Sequence, residues 1–262
     1  MIFDTHCHLN AKELYKDHEK YIISAKNEGV AAFLVVGYDY LSSKIAVELA
    51  EKFDFIYAAV GYHPVDVLKA KTSELEKTFE LLKHPKVVAL GEIGLDYHWI
   101  EDASEREKQK EFFIRQIELA NENELPIIIH NRDATNDTYQ ILKEHKVNKG
   151  GIMHCYSGSL AMAIELIKLG FYISMGGPVT FKNARVPKEV VKAIPLDKLL
   201  VETDCPYLAP HPLRGTINEP KNIVYTVKEI AELREKSIEE IEKTTFNNAK
   251  KILGLWNIIL MD

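Results

Sequence analysis

The stretch FDTHCHLN, residues 3–10, sets two histidines two apart inside a short apolar run, with Asp4 two residues before His6. In an extended strand, side chains two apart point the same way, with Cα atoms about 6.5 Å apart. Imidazoles at that spacing can lean toward one cation, while Cys7 between them faces the other way. A lone histidine at a strand end is more often a hydrogen-bonded structural group than a ligand, and an isolated His-x-His pair decides nothing. What matters is whether the chain brings similar groups to the same place.

Eight short apolar runs recur along the chain, at 1–8, 31–37, 55–63, 86–94, 125–130, 150–155, 171–177 and 198–204, each the length of a buried strand. Five of them end in a group able to bind a metal: His6 and His8 on the first, Glu92 on the fourth, His130 on the fifth, His154 on the sixth and Asp204 on the eighth. Helical periodicity fills the gaps. Leu75, Phe79 and Leu82 share a face behind a capping box read at Ser73 and Glu76. Phe113, Ile117 and Ala120 share another behind Ser104 and Glu107. Residues 134–145, 159–169, 187–194 and 220–236 read as further helices, and a last one near 238–253 stops at Gly254.

Strands alternating with helices point to parallel βαβ units, an α/β fold. The element count and the 262 residues favour a closed (β/α)8 TIM-type barrel of the metal-dependent hydrolase type, as a single domain over 1–262. No glycine-rich fingerprint follows the first strand, which argues against a doubly wound sheet and a dinucleotide cofactor. In a barrel the C-terminal strand ends share one face, so groups spread over two hundred residues would meet.

A carboxylate left unpaired in an apolar strand is costly, and a bound cation is a common remedy. Imidazole and carboxylate donors without thiolate suit Zn, Mn, Fe, Co or Ni, and hold Mg more weakly. Six candidate ligands are more than one catalytic ion with an open position takes, so two divalent ions are expected, with Glu92 placed to bridge them. Asp4 and Glu202 lie two residues before His6 and Asp204 and are expected to point inward one layer deeper. Each would accept an N–H from a ligand histidine, the alternative being a local salt bridge. Cys7, Cys155 and Cys205 should face the helices as small buried hydrophobes, and an odd, sparse count suits a reducing compartment.

The net charge of -6 excludes a generally basic nucleic-acid coat but allows a local basic patch. Met1 runs straight into the first apolar segment without a basic n-region, and no apolar run nears the ~20 residues of a membrane span. A cytoplasmic protein with no membrane contact is therefore expected. The apolar end ILGLWNIILM, broken by Asn257, reads as packed or subunit-contacting.

The motifs DTHCHLN, GYHP, GEIGLDY, HNRDA, HCYSGS, GGPVTFKNA and ETDCPYLAPHPLRGTINEP, in this order over nearly the whole chain, resemble the TatD family of metal-dependent deoxyribonucleases within the amidohydrolase-like barrels. The resemblance implies a divalent-metal-dependent phosphodiesterase. It implies one ion held by His6, His8, Glu92 and Asp204 and a second by Glu92, His130 and His154, with Asp204 also the base. Many members carry a second histidine after GxHP where this chain has Val65. His63 thus stands alone there, either touching the substrate phosphate or packing beside Pro64.

The expected chemistry is phosphodiester hydrolysis by a metal-activated water, with Asp204 taking the proton. No Gly-x-Ser-x-Gly elbow appears, and no strand clearly ends in a Schiff-base lysine. Positive charge for DNA would come from Arg132 and Arg214, and less decisively from Lys182, Arg185 and Lys221 in the loops after strands 5, 7 and 8. Tyr156 and Tyr207 could stack on bases. An exonuclease on single-stranded DNA, with no stable protein partner, is the leading expectation. A small-molecule hydrolase of amides, lactones or phosphotriesters on the same metals is the alternative, and a non-catalytic metal-bound barrel a third.

Overall fold

Eight parallel strands pair in sequence order in the computed structural model, which describes residues 1–256: β1 (Ile2–Cys7), β2 (Val30–Val36), β3 (Ile56–Val60), β4 (Val87–Asp96), β5 (Ile127–Arg132), β6 (Gly151–Met153), β7 (Phe171–Met175) and β8 (Leu199–Val201). The ring closes beyond the regular ladder. Asp204 N–H donates to His6 O at 2.8 Å, and His8 N–H donates to Cys205 O at 2.8 Å. The expected (β/α)8 barrel is the fold. The ligand-bearing ends of β1 and β8 are thereby fastened to each other.

Helices return the chain to the start of each next strand: α1 (Lys12–Tyr15) and α2 (His18–Asn27), α3 (Tyr40–Lys52), α4 (Thr72–Glu80), α5 (Ala103–Glu122), α6 (Thr135–Glu144), α7 (Leu160–Lys168), α8 (Arg185–Ala193), α9 (Ile223–Arg234) and α10 (Ile238–Ile252). Two expected capping boxes lie elsewhere. Asp102 starts α5, accepting from the N–H groups of Ser104 and Glu105, so Ser104 is already inside the helix. Lys71 precedes α4, and its N–H reaches Glu74 Oε2 at 3.4 Å. In each case the box motif sits two residues inside the true start. Asp39 and Ser42 make a true box on α3.

Alternation along the strands divides the apolar residues. Phe33, Val35, Ile129 and Val201 face the helices. Leu34, Val36, Ala89, Ile128, Ile152 and Leu200 fill the barrel, and Phe246, Ala249 and Ile252 of α10 join them. Phe246 packs on Phe3 with ring centroids 5.9 Å apart, so α10 plugs the end where the strands begin. Burying one such ring contributes about 1.5–3 kcal/mol. The end where the strands finish stays open. Among the described residues, no helix is long and apolar enough to cross a membrane. Asn257 and the rest of the apolar tail beyond Trp256 lie outside the described residues.

Register shifts interrupt three of the strand pairs, and two of those shifts bear on the site. Between Leu90 and Ile93 the register of β4 shifts against β5. An added Cβ on Gly91 would fall 2.5 Å from Ile128 Cβ, so Gly91 faces inward, and Glu92 next to it does too. In β1 a shift falls between Asp4 and Cys7. Thr5 points into the barrel and meets Ser174 Oγ at 3.2 Å, while Asp4 turns to the seam with β8.

Candidate metal centre

His6, His8, Glu92, His130, His154 and Asp204 converge at the open end around one carboxylate. Glu92 Oε1 lies 2.9 Å from His130 Nδ1 and 3.3 Å from His154 Nε2. Its other oxygen, Oε2, lies 3.5 Å from His6 Nε2 and 3.7 Å from His8 Nε2. Asp204 Oδ1 stands 3.4 Å from His8 Nε2 and 3.8 Å from His6 Nε2. Two sets of imidazole nitrogens thus flank Glu92, those of His130 and His154 at one carboxylate oxygen and those of His6 and His8 at the other.

Hydrogen bonds on the far sides of the rings set the tautomers. His8 Nδ1 is 2.9 Å from Val36 O, a carbonyl that can only accept, so the proton sits on Nδ1 and the Nε2 lone pair faces the site. His154 Nδ1 donates to Glu202 Oε1 at 3.0 Å, and the Cys155 N–H meets the same oxygen at 2.7 Å. Glu202 therefore does what the sequence suggested for it.

Asp4 does not. It accepts from Thr203 N–H at 3.0 Å and from Thr203 Oγ1 at 2.6 Å. Its contact with His6 is to the backbone N–H, at 3.4 Å. The register shift in β1 explains the correction, because it rotates Asp4 away from the layer beneath His6. Burial pushes this carboxyl up to about 8 despite the two bonds from Thr203.

Asp96 is the group the sequence reading overlooked. Its Oδ2 lies 2.9 Å from His130 Nε2, the nitrogen turned away from Glu92. Glu92, Gly94 and Asp96 are successive alternate positions of β4, and Ile93 and Leu95 between them belong to the helix-facing core. That period was available in GEIGLDY. Gly94 lies between them at φ +136°, with its Cα against the His130 carbonyl: an added Cβ would be 2.0 Å from that oxygen.

The electrostatics favour cations. His8 Nε2 stands 3.1 Å from His6 Nε2, and both nitrogens aim at the carboxylates rather than at separate partners. The His6 and His154 rings stack with centroids 3.8 Å apart. His6 Nδ1 is buried and has no hydrogen-bond partner. Burial opposes ionisation of Glu92, yet the charge of His154 and bonds from His130, His154 and His6 hold its carboxyl well below the usual range. Burial likewise opposes a charged His154, yet Glu202 and Glu92 raise it well above an ordinary histidine. The cavity over these groups has a volume of about 710 Å³ and is lined by the carboxylates of Asp66, Glu92, Asp96 and Asp204 against the single guanidinium of Arg132. Lone pairs and carboxylates crowded together are a donor set that suits divalent-metal binding, so the residues fit a metal centre.

The remaining candidates separate. His63 adjoins the second donor group, with Nε2 3.9 Å from Glu92 Oε1 and its ring 4.3 Å from that of His130. Its Nδ1 accepts from Val65 N–H at 3.3 Å, and burial together with the charge of His130 lowers it to about 3. Arg132 lines the cavity and lies over Trp99, 5.5 Å from the ring centroid. Arg214 is exposed outside the lining, 4.6 Å above the Phe181 ring. Lys182 and Arg185 are exposed, and Lys221 pairs with Glu219 at 2.8 Å. Tyr156 is buried with its hydroxyl on Ser159 O, which removes it as a base platform, whereas Tyr207 is exposed on the cavity wall. Cys7 and Cys205 lie among the helix-facing core. Cys155 instead lines the cavity, because a φ of +41° interrupts the alternation after His154.

Comparison with known proteins shows what the chain as a whole is similar to. Residues 3–254 match the family described as TatD related DNase. An uncharacterized metal-dependent hydrolase of Bacillus subtilis, YabD, is 54% identical over 256 residues, covering 97% of this chain and 100% of that protein. An uncharacterized metal-dependent hydrolase TatD of Mycobacterium tuberculosis is 38% identical over 260 residues, covering 96% and 97%. The crystal structure of YjjV, a TatD homologue from Escherichia coli, superposes with a TM-score of 0.91 at 31% identity, covering 97% of this chain and 98% of that one.

Proposed function

Because this chain belongs to the TatD-related DNase family and is a metal-dependent hydrolase of that family, we propose that it hydrolyses phosphodiester bonds, with DNA as substrate and an exonuclease as the form of the activity. The observation that carries this reading is Glu92 standing between two donor groups, with His130 and His154 at one oxygen and His6 and His8 at the other. Two adjacent cations suit a reaction in which charge builds on both the attacking and the leaving oxygen.

His6, His8, Glu92 and Asp204 would hold one ion, and Glu92, His130 and His154 the other. Such ions supply Lewis-acid polarisation of phosphoryl oxygens and make water a stronger acid. Asp204 is the base. Burial would raise it, but the bond to His8 and the charges of His154 and His6 keep its carboxyl below the ordinary value, so it is ionised and ready to accept a proton. Its backbone lies at φ +56°, a conformation aspartate tolerates better than most residues, and this turn carries Oδ1 to His8. Glu202 and Asp96 fix the His154 and His130 rings. Arg132 is the side chain on the lining that offers a fixed positive charge to a phosphate.

The predominance of carboxylates on the lining is what favours the second reading, a small-molecule amide or lactone hydrolase at the same site. A substrate panel separates the two. Purified protein loaded with Mg²⁺ or Mn²⁺ is expected to release nucleotides from end-labelled DNA with a higher kcat/KM than it shows on any ester, amide or lactone. Faster turnover of a lactone or ester, with no nucleotide release, would overturn the proposal.

A further inference from the structure

We propose that Trp99 and Tyr207 are two base-stacking platforms on opposite rims of the cavity, so that the substrate is an unpaired nucleic-acid strand laid across the mouth with its scissile phosphate over Glu92. This rests on the phosphodiesterase reading above.

Both side chains line the cavity that holds the candidate ion ligands. Both are also open to solvent, Trp99 at 65% and Tyr207 at 51% exposure, although large aromatic rings are the side chains that gain most from burial. Trp99 follows β4 and Tyr207 follows β8. In a ring of eight strands paired in order, those two loops stand four strands apart in either direction, facing each other across the mouth. The ligand cluster lies between them: the Tyr207 ring is 6.0 Å from the His8 ring, and Arg132 over Trp99 extends from the strand that carries His130.

The Trp99 ring is exposed yet held. Arg132 covers it, and the His98 ring meets it edge-on at 4.8 Å. His98 in turn lies 3.3 Å from Asp133. A ring fixed before binding loses little freedom when a base stacks on it. Arg132 adds a guanidinium beside that platform, where a strand's backbone phosphate would pass. Every base has a π-face, so such platforms discriminate against paired bases and tolerate sequence. A base inside a duplex is already stacked and cannot offer its face without opening.

The test compares wild type, W99A, Y207A and W99F, each metal-loaded, on three substrates of equal length: a single-stranded oligonucleotide, the same strand with abasic sites at every position, and the blunt duplex. Wild type is expected to show the lowest KM on the single strand. W99A and Y207A should each raise that KM about tenfold, and W99F should recover most of the loss. On the abasic strand the difference between wild type and the alanine variants should vanish, since the partner of the ring is gone. Equal KM values for wild type and both alanine variants on the single strand would overturn the inference while leaving the phosphodiesterase reading intact. So would an equal KM of wild type for duplex and single strand. No nucleotide release by wild type from any of the three would overturn both.

Discussion

The Asp96 carboxylate takes one nitrogen of His130 at 2.9 Å while the other nitrogen of the same ring stands 2.9 Å from Glu92. Asp96 holds the proton on Nε2, so loss of the Nδ1 proton would leave that lone pair to an ion beside Glu92. Partners of this kind fix ring orientation and raise ligand basicity. Asp96→Asn should therefore weaken the binding of one divalent ion and reduce kcat/KM by about 10–100-fold with the fold intact. Calorimetric titration with Mn²⁺ or Zn²⁺ checks it, and unchanged affinity for both ions would reduce Asp96 to a packing role.

Glu202 holds both the His154 ring and the Cys155 N–H and is fully buried. Glu202→Gln keeps the shape but removes the charge and turns one oxygen into a donor. A loss of about 1–3 kcal/mol in urea unfolding is expected. The apparent metal affinity should also fall by about 10–100-fold. A variant with wild-type stability and metal affinity would show that His154 is oriented by other contacts.

Metal binding should release protons. In the metal-free chain, burial disfavours the charged forms of His130 and His154, but Asp96 with Glu92, and Glu202 with Glu92, raise both above the ordinary value. A histidine raised on folding contributes stability that is full below its unfolded value near 6.5 and is lost as pH rises through the raised folded value. A cation must displace those same protons. The metal-free protein is accordingly expected to lose stability above about pH 6.5 while its affinity for divalent ions grows. Titration calorimetry in two buffers of different ionisation enthalpy at pH 7 reads the released protons directly; zero release would contradict the protonation pattern.

At Gly94, β4 passes close to β5, against the His130 carbonyl. Alanine there meets both an unfavourable φ of +136° and the carbonyl oxygen at 2.0 Å. The cost should be about 2–6 kcal/mol, with His130 displaced and activity lost. Gly29 provides the contrast, with φ +87° and nothing within 4 Å of an added Cβ. Gly29→Ala should cost about 1–3 kcal/mol and keep its activity. Equal effects at the two glycines would mean that the close approach to His130 is unimportant.

The strands were legible as short apolar runs alternating with helical periodicity, and the six converging groups because five of those runs end in a histidine or carboxylate. What failed depended on counting by twos across a place where the count breaks. Asp4 was assigned beneath His6 by alternation, but the shift between Asp4 and Cys7 sends it to Thr203. Cys155 was assigned to the helix side, but its positive φ turns it into the cavity. Asp96 was missed although the count from Glu92 holds there, because the apolar run was taken to end at Gly94 and the strand continues to Asp96. Trp99 carries no periodic signal, and its exposure is visible only once the loop after β4 is placed.

The most direct test of the account is the rate of nucleotide release from end-labelled single-stranded DNA by chelator-treated protein as Mg²⁺ or Mn²⁺ is restored, with wild type beside Asp204→Asn. The account predicts no release without metal, recovery of wild type on titration, and a rate for Asp204→Asn lower by about 10²–10⁴-fold at saturating metal. Release that survives chelation, or an Asp204→Asn rate equal to wild type, would contradict it.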